Sequence, residues 1–192
     1  MEPVATPQTA PLPGSPRKRW AKADRAERAE LIMLIGLELL RDRGAEAVTI
    51  RKVADRLGVG AMTLYTYIDG QDGLRRAMIR RGFELLHHNC CQASTLDNEH
   101  GWKGGAMAYL RFAHDHPNLY KLMFDTPLPD TDQDLLSAGF SGLLDRVRQR
   151  LADAGHDPAT LEREALDQAG RFWISLHGLA SLAIAKRLET LE

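Results

Sequence analysis

The residues best suited to chemistry lie between Val48 and Leu74, in VTIRKVADRLGVGAMTLYTYIDGQDGL. Met62, Thr63, Tyr65, Thr66 and Tyr67 have no evident core duty there, and none is a carboxylate. Hydroxyls, aromatic rings and a thioether without negative charge suit a DNA groove, where phosphates repel acids. Elsewhere the chemistry is thin. Cys90 and Cys91 are adjacent; neighbouring cysteines pair poorly and two thiols make no zinc site, so they read as reduced helix cysteines. His114 and His116 flank Asp115, but their i,i+2 spacing puts them on different helix faces with no third ligand nearby. No nucleophile elbow, glycine-rich phosphate loop or paired set of metal ligands occurs, so the chain reads as a non-enzyme that needs no cofactor.

Two short helices must position the carboxylate-free face. Ile50, Val53, Ala54 and Leu57 form an apolar stripe at helical spacing. Thr49 stands where its hydroxyl can cap that helix, and Gly58 stands where a left-handed residue ends one. Val59 is expected to be a buried anchor. A second helix is expected over 61–67, with Leu64 and Ile68 facing inward. Such a pair joined by a glycine turn outlines a helix-turn-helix. Before it, a helix over 24–43 carries Leu31, Leu34, Ile35, Glu38 and Leu39; the unbroken run Leu31–Ile35 places it at the centre of a small domain. After it, a helix over 71–93 carries Arg75, Arg76, Arg80 and Arg81, either a solvated basic face or phosphate contacts.

The remaining helices are expected over 99–116, 118–124, 132–154 and 157–187. Met107, Leu110, Phe112 and Ala113 take core spacing in the first, whose start Gly101, Gly104 and Gly105 weaken. Leu135, Leu136, Phe140, Leu143, Leu144, Val147 and Leu151 line the third. Trp173 and His177 share a face of the last. The fold class is all-α. An N-terminal three-helix helix-turn-helix domain over 20–81 precedes a C-terminal helical domain over 82–192.

Composition bounds the function. The 192 residues fit one or two small domains with a sizeable core. No run of about eighteen apolar residues suggests a membrane span. The N-terminus lacks the apolar core of a signal peptide, so the expected location is the cytoplasm. Residues 1–19 read as a disordered arm, with Pro3, Pro7, Pro11 and Pro13 ahead of Pro16-Arg17-Lys18-Arg19-Trp20. Its basic end is either a solvated tail or an arm that lies along DNA or enters the minor groove. The net charge is −1, but it is split. Met1–Arg81 holds 15 Lys and Arg against 10 Asp and Glu, whereas Gly82–Glu192 holds 10 against 16. A basic reader on an acidic body fits that asymmetry.

Thr49-Ile50-Arg51-Lys52-Val53-Ala54, Leu57-Gly58-Val59, Thr63-Leu64-Tyr65 and Asp72-Gly73-Leu74 together resemble the DNA-binding domain of the tetracycline-repressor (TetR) family of bacterial transcription regulators. The resemblance spans roughly Lys22–Arg187. Trp173, His177 and Gly178, with His116 to Phe124, resemble a Trp-His-Gly subclass of its C-terminal domains. It implies a ligand-responsive regulator, most often a repressor, that binds a palindromic double-stranded operator as a homodimer and leaves it when a small molecule enters the second domain. DNA contacts are then expected from Thr49, Arg51, Met62, Thr63, Tyr65 and Tyr67. Arg51 would reach a base, Met62 a thymine methyl, and Thr49, Tyr65 and Tyr67 phosphates. The effector pocket would be lined by Met107, Phe112, Met123, Phe124, Phe140, Trp173 and His177; with no cation among them, the effector should be apolar or aromatic. Each of the seven also suits plain core. Dimer contacts are expected from the 157–187 helix through Leu176, Leu179, Ala180, Ala183 and Ile184, with help from 132–154. Two departures stand out. Family members commonly carry Lys where Gln71 stands and His where Tyr67 stands, both usually at phosphates. Many also continue with a further helix beyond the position of Glu192. The rival readings are an all-helical enzyme and an assembly protein without DNA binding.

Overall fold

A computed structural model describes residues 14–96, 101–127 and 133–188, and no strand occurs among them. The helices are α1 Pro16–Lys22, α2 Arg25–Arg43, α3 Ile50–Leu57, α4 Ala61–Leu64, α5 Gly70–Leu96, α6 Gly101–Asp115, α7 Pro117–Asp125, α8 Gln133–Asp153 and α9 Pro158–Ile184.

The chain divides into two compact units: Met1–Gly82 with Asn118–Thr126, and Phe83–Pro117 with Pro127–Glu192. In the first unit, α2 is the central helix. The Asp24 carboxylate accepts from the Glu27 amide at 2.9 Å, and Glu27 accepts from the Asp24 amide at 2.8 Å. This reciprocal cap satisfies two N-terminal donors. Leu31 to Leu37, Leu39 and Leu40 are all buried, so α2 is apolar nearly all round, as its unbroken run predicts. Around it, α3 buries Ile50, Val53, Ala54 and Leu57.

Three expectations change. The stretch 16–19, read as part of a disordered arm, belongs to α1, because Trp20 is buried and holds the helix down; residues 1–13 lie outside the described residues. The second helix of the pair ends at Leu64 and continues as turns, with Tyr67 N–H on the Leu64 carbonyl at 2.9 Å and Ile68 N–H on it at 3.0 Å. Val59 is only half-buried.

The first unit also takes in a segment expected in the second domain. Asn118 Nδ2 donates to the Leu40 carbonyl at 3.0 Å and to the Arg41 carbonyl at 3.4 Å. The Leu40 carbonyl also accepts from the Gly44 amide at 2.9 Å, so Asn118 adds its bonds at the capped C-terminus of α2. Further along α7, Met123 is almost fully buried. Its Sδ stands 2.5 Å from where a Cβ on Gly82 would be, so α7 meets the α5 backbone directly.

In the second unit, α9 packs against both α6 and α8. Pro158 takes its first turn, and the Asp157 carboxylate caps the Ala159 amide at 2.9 Å. Arg148 of α8 grips Glu162 of α9 with two bonds, Nε to Oε1 at 2.6 Å and Nη2 to Oε2 at 3.0 Å. No helix among the described residues is long and apolar enough to cross a membrane.

Candidate functional site

The helix-turn-helix is fixed by caps at its joints. Thr49 Oγ1 accepts from the Lys52 amide at 3.3 Å and starts α3. Gly58 stops it with φ +70° and ψ +36°, a left-handed conformation that only glycine adopts without strain. The Val59 amide then reaches back to the Ala54 carbonyl at 3.1 Å. Beyond this turn Leu64 is fully buried, and the residues around it point out. Met62 is 80% exposed and Tyr65 54%, with Thr63 and Thr66 exposed as well. Arg51 is exposed on the first turn of α3. Leu64 is the pivot that turns Met62, Thr63 and Tyr65 outward.

The other two predicted contacts are partly committed. Thr49 is half-buried, its hydroxyl spent as the cap. Tyr67 is half-buried too, its ring edge-on to Trp20 with centroids 5.3 Å apart and an interplanar angle of 82°. Its hydroxyl accepts from Arg28 Nη1 at 2.7 Å, while the Arg25 and Arg28 guanidinia lie 5.8 and 5.7 Å from its ring centre. Arg25 Nη2 donates to the Thr66 carbonyl at 3.1 Å. Tyr67 therefore has a structural post, and only its own O–H remains to donate to a phosphate.

Gln71 does something its sequence position does not announce. Its Nε2 donates to the Val48 carbonyl at 2.6 Å and its Oε1 accepts from the Ile50 amide at 3.2 Å. Ile50 is the first residue of α3, so its N–H has no partner within the helix. One side-chain amide thus clamps both sides of Thr49 and orients α3. On α5, Arg75 and Arg76 each meet a nearby acid, Asp72 at 3.6 Å and Asp69 at 2.9 Å.

The predicted pocket residues divide. Met123 and Phe124 belong to the first unit, where Phe124 packs on Tyr120 at 4.7 Å. Met107 is 52% exposed, contrary to its expected core place. The buried side of α6 carries Gly105, Tyr109, Phe112 and Ala113, and Met107 lies two residues from both Gly105 and Tyr109, about half a turn away. The same phase explains Gly105, expected only to weaken the helix start: a Cβ there would stand 2.6 Å from Ser94 Oγ, so α6 approaches α5 closely at that point. Phe140, Trp173 and His177 do come together. Trp173 stacks on His177 with centroids 5.6 Å apart and 21° between planes. Phe140 meets Trp173 edge-on at 6.2 Å. All three are half-buried. Phe112 is buried and packs on His116 at 5.1 Å instead. A Trp–His stack with a Phe ring at its edge suits a flat apolar molecule, the imidazole being the one of these three rings whose nitrogens can both donate and accept a hydrogen bond.

Two other clusters lie outside these sites. Cys91 Sγ lies 3.5 Å from His87 Nε2 one turn earlier. Burial pushes the Cys90 thiol up to about 12, with the neighbouring Cys91 adding to it. Among the described residues no group of three or more His, Cys, Asp and Glu side chains is placed to hold a metal ion. On α9, Leu166, Ile174, Leu179 and Leu182 are exposed. Ala180, expected in a dimer contact, is buried within the chain because it faces inward with Ala165 and Ala169. At Gly170 and Gly178 a Cβ would meet nothing within 4 Å.

Comparison with known proteins places this architecture. A family model described as "Bacterial regulatory proteins, tetR family" matches residues 32–84, and one described as "Tetracyclin repressor-like, C-terminal domain" matches residues 102–192. An uncharacterized HTH-type transcriptional regulator of Mycobacterium tuberculosis is 28% identical over 194 residues, covering 98% of this chain and 87% of that protein. The HTH-type transcriptional activator FasR of Mycolicibacterium smegmatis is 27% identical over 115 residues, 59% of this chain and 52% of its own. Among solved structures, the regulatory protein SCO4313 superposes with a TM-score of 0.68 at 26% identity, over 89% of this chain and 88% of that one. A protein of unknown function from Rhodococcus sp. RHA1 shares the fold, with a TM-score of 0.71 at 21% identity over 84% of each chain.

Proposed function

Because the chain belongs to the TetR family of DNA-binding transcription regulators, which are not enzymes, we propose that it is a cytoplasmic repressor that a small apolar or aromatic effector releases from a palindromic operator. The observation that carries the reading is the exposed, acid-free set Met62, Thr63 and Tyr65 turned outward over buried Leu64. Arg51 adds a guanidinium that can take a guanine edge, and Thr49 and Tyr67 sit at the margins of the same pair. One helix-turn-helix reads only a half-site, so the operator requires two copies. The apolar stripe of α9 is the surface we assign to the second copy. The effector site is assigned to the second unit around Phe140, Trp173 and His177, with Phe112 on α6 of the same unit.

A mobility-shift assay on the DNA upstream of the protein's own gene tests the core of this. Retarded, competitor-resistant complex is expected; no complex with that DNA or with any sequence selected from a random pool would sink the regulator reading. Titration of aromatic compounds, followed by Trp173 fluorescence and operator affinity together, tests the effector. A compound that quenches Trp173 yet leaves operator affinity unchanged would mean a pocket without a switch. The activator reading has one observation in its favour, the similarity to FasR, which is named a transcriptional activator. A reporter fused to the bound promoter separates the two: loss of the gene should raise expression from a repressed promoter and lower it from an activated one.

A further inference from the structure

We propose that α1 is a prefolded cationic clamp that grips DNA phosphates beside the helix-turn-helix, an inference that rests on the DNA-binding reading above. Within PRKRWAK, Arg17, Lys18, Arg19 and Lys22 are all exposed, and the chain holds no acid from Gly14 to Ala23. None of the four meets a carboxylate among the described residues, whereas Arg56, Arg75 and Arg76 are neutralised by Glu38, Asp72 and Asp69. These two turns of helix thus carry their positive charge uncompensated.

A seven-residue helix with four like charges does not persist in water by itself, since nucleation costs more than so few hydrogen bonds return. Something must hold it, and two contacts do. Trp20 is buried with its ring edge-on to Tyr67 and the Arg28 guanidinium 5.3 Å above it. The stem of Arg17 crosses Gly58, its Cδ 2.9 Å from where a Cβ on that glycine would stand. Gly58 lies in the turn before α4 and Tyr67 in the turns after it. The two anchors therefore fall on either side of α4 in the chain, and α1 itself packs on α3, so its cations are held on the helix-turn-helix pair.

This arrangement differs from a flexible arm. Trp20 commits its ring to the protein, and the backbone is helical, so an extended insertion into the minor groove is not what α1 is built for. Long basic side chains on a docked helix suit phosphate oxygens, which add affinity without sequence information. The arrangement also accounts for Tyr67. At a position where the family resemblance implies a phosphate-contacting His, this chain has a ring that seats α1.

The test uses the full chain with R17Q/K18Q/R19Q/K22Q, which keeps long polar side chains and removes charge at exposed sites; circular dichroism confirms the fold. Binding to the duplex that the wild type selects from a random pool is measured across a salt series. The variant is expected to bind more weakly at low salt. Its slope of log affinity against log salt should be shallower by roughly 0.9 for each phosphate that α1 no longer neutralises. Its ranking of operator variants should be unchanged. An unchanged slope in a folded variant overturns the clamp. So does a variant that loses preference for A·T flanks, which would reveal a minor-groove arm. A wild type that selects no duplex at all overturns the DNA-binding reading itself, a result distinct from both.

Discussion

Arg51 and Gln71 show what a single side chain decides here. Arg51 is exposed at the start of α3, so Arg51→Ala should leave stability alone. It should cost operator binding on the order of 1–3 kcal/mol and relax the sequence at one base pair, read from affinities for a panel of single-base operator variants. Full affinity with unchanged preference would remove Arg51 from the base-reading set. Gln71 carries the opposite kind of role. Against the family resemblance it reads as a phosphate partner gone missing, since that resemblance implies Lys there. Its clamp on Val48 and Ile50 is not legible in the sequence, since nothing local to Gln71 marks an unpaired amide and carbonyl far upstream. The two readings separate in Gln71→Lys. Lysine donates but cannot accept, so the Ile50 amide loses its partner. The variant should unfold at lower denaturant, by about 1–2 kcal/mol, while its DNA binding becomes more salt-dependent. At the thiols, the thiolate is the reactive form. With its thiol pushed up to about 12, Cys90 stays protonated in mildly alkaline buffer. Brief iodoacetamide treatment there should therefore label Cys91 and spare Cys90, as peptide mass spectrometry would show; equal labelling would mean that α5 opens at that turn.

Among the elements, those that announce themselves by local chemistry are legible in the sequence and those made by tertiary contact are not. Thr49 and Gly58 bound α3, the Leu31–Ile35 run marks α2, and Asp157-Pro158 opens α9, each through a cap or a pattern that acts within a few residues. In contrast, α1 exists because Trp20 finds Tyr67 far along the chain. Hydrophobic spacing misplaces Met107 because Gly105, the residue that fixes the phase of α6, has no side chain to contribute to such a pattern. The outward face around Leu64 follows from residue types alone. Tyr67 groups with that face only while its contact with Trp20 is unknown. Gly82 offers a test at this scale. Judged by helix propensity, a larger residue on α5 should be tolerated or better. Judged by contact, a side chain there meets buried Met123 and Leu119. Gly82→Val is expected to destabilise the first unit by about 1–3 kcal/mol through overpacking, measured by urea denaturation; a more stable variant would show that α7 yields freely.

At the scale of the whole molecule, the exposed side of α9 bears on assembly. Leu166, Gly170, Ile174, Gly178 and Leu182 recur every fourth residue, and such a row forms one ridge on a helix. Ile174 is 64% exposed and Leu166 56%, which a solvated helix has no reason to arrange in line. The glycines let a partner backbone come close. Ile174→Asp should therefore convert the expected dimer to a monomer by light scattering at micromolar concentration, and weaken operator binding with it. A wild type that is monomeric there while binding its operator tightly would refute the assignment. The connectivity of the first unit has a different consequence, one of timing. The chain leaves that unit after Gly82 and returns only with Asn118–Thr126, whose side chain at Asn118 closes α2 and whose Met123 covers Gly82. At a synthesis rate of roughly 5–20 residues per second, the DNA-reading unit waits several seconds, the end of α2 without Asn118 and its α5 surface uncovered, before its last piece emerges. Nascent chains stalled before and after that piece clears the exit tunnel should differ sharply in protease resistance. The DNA-reading unit of a newly made copy is thus begun early and completed late.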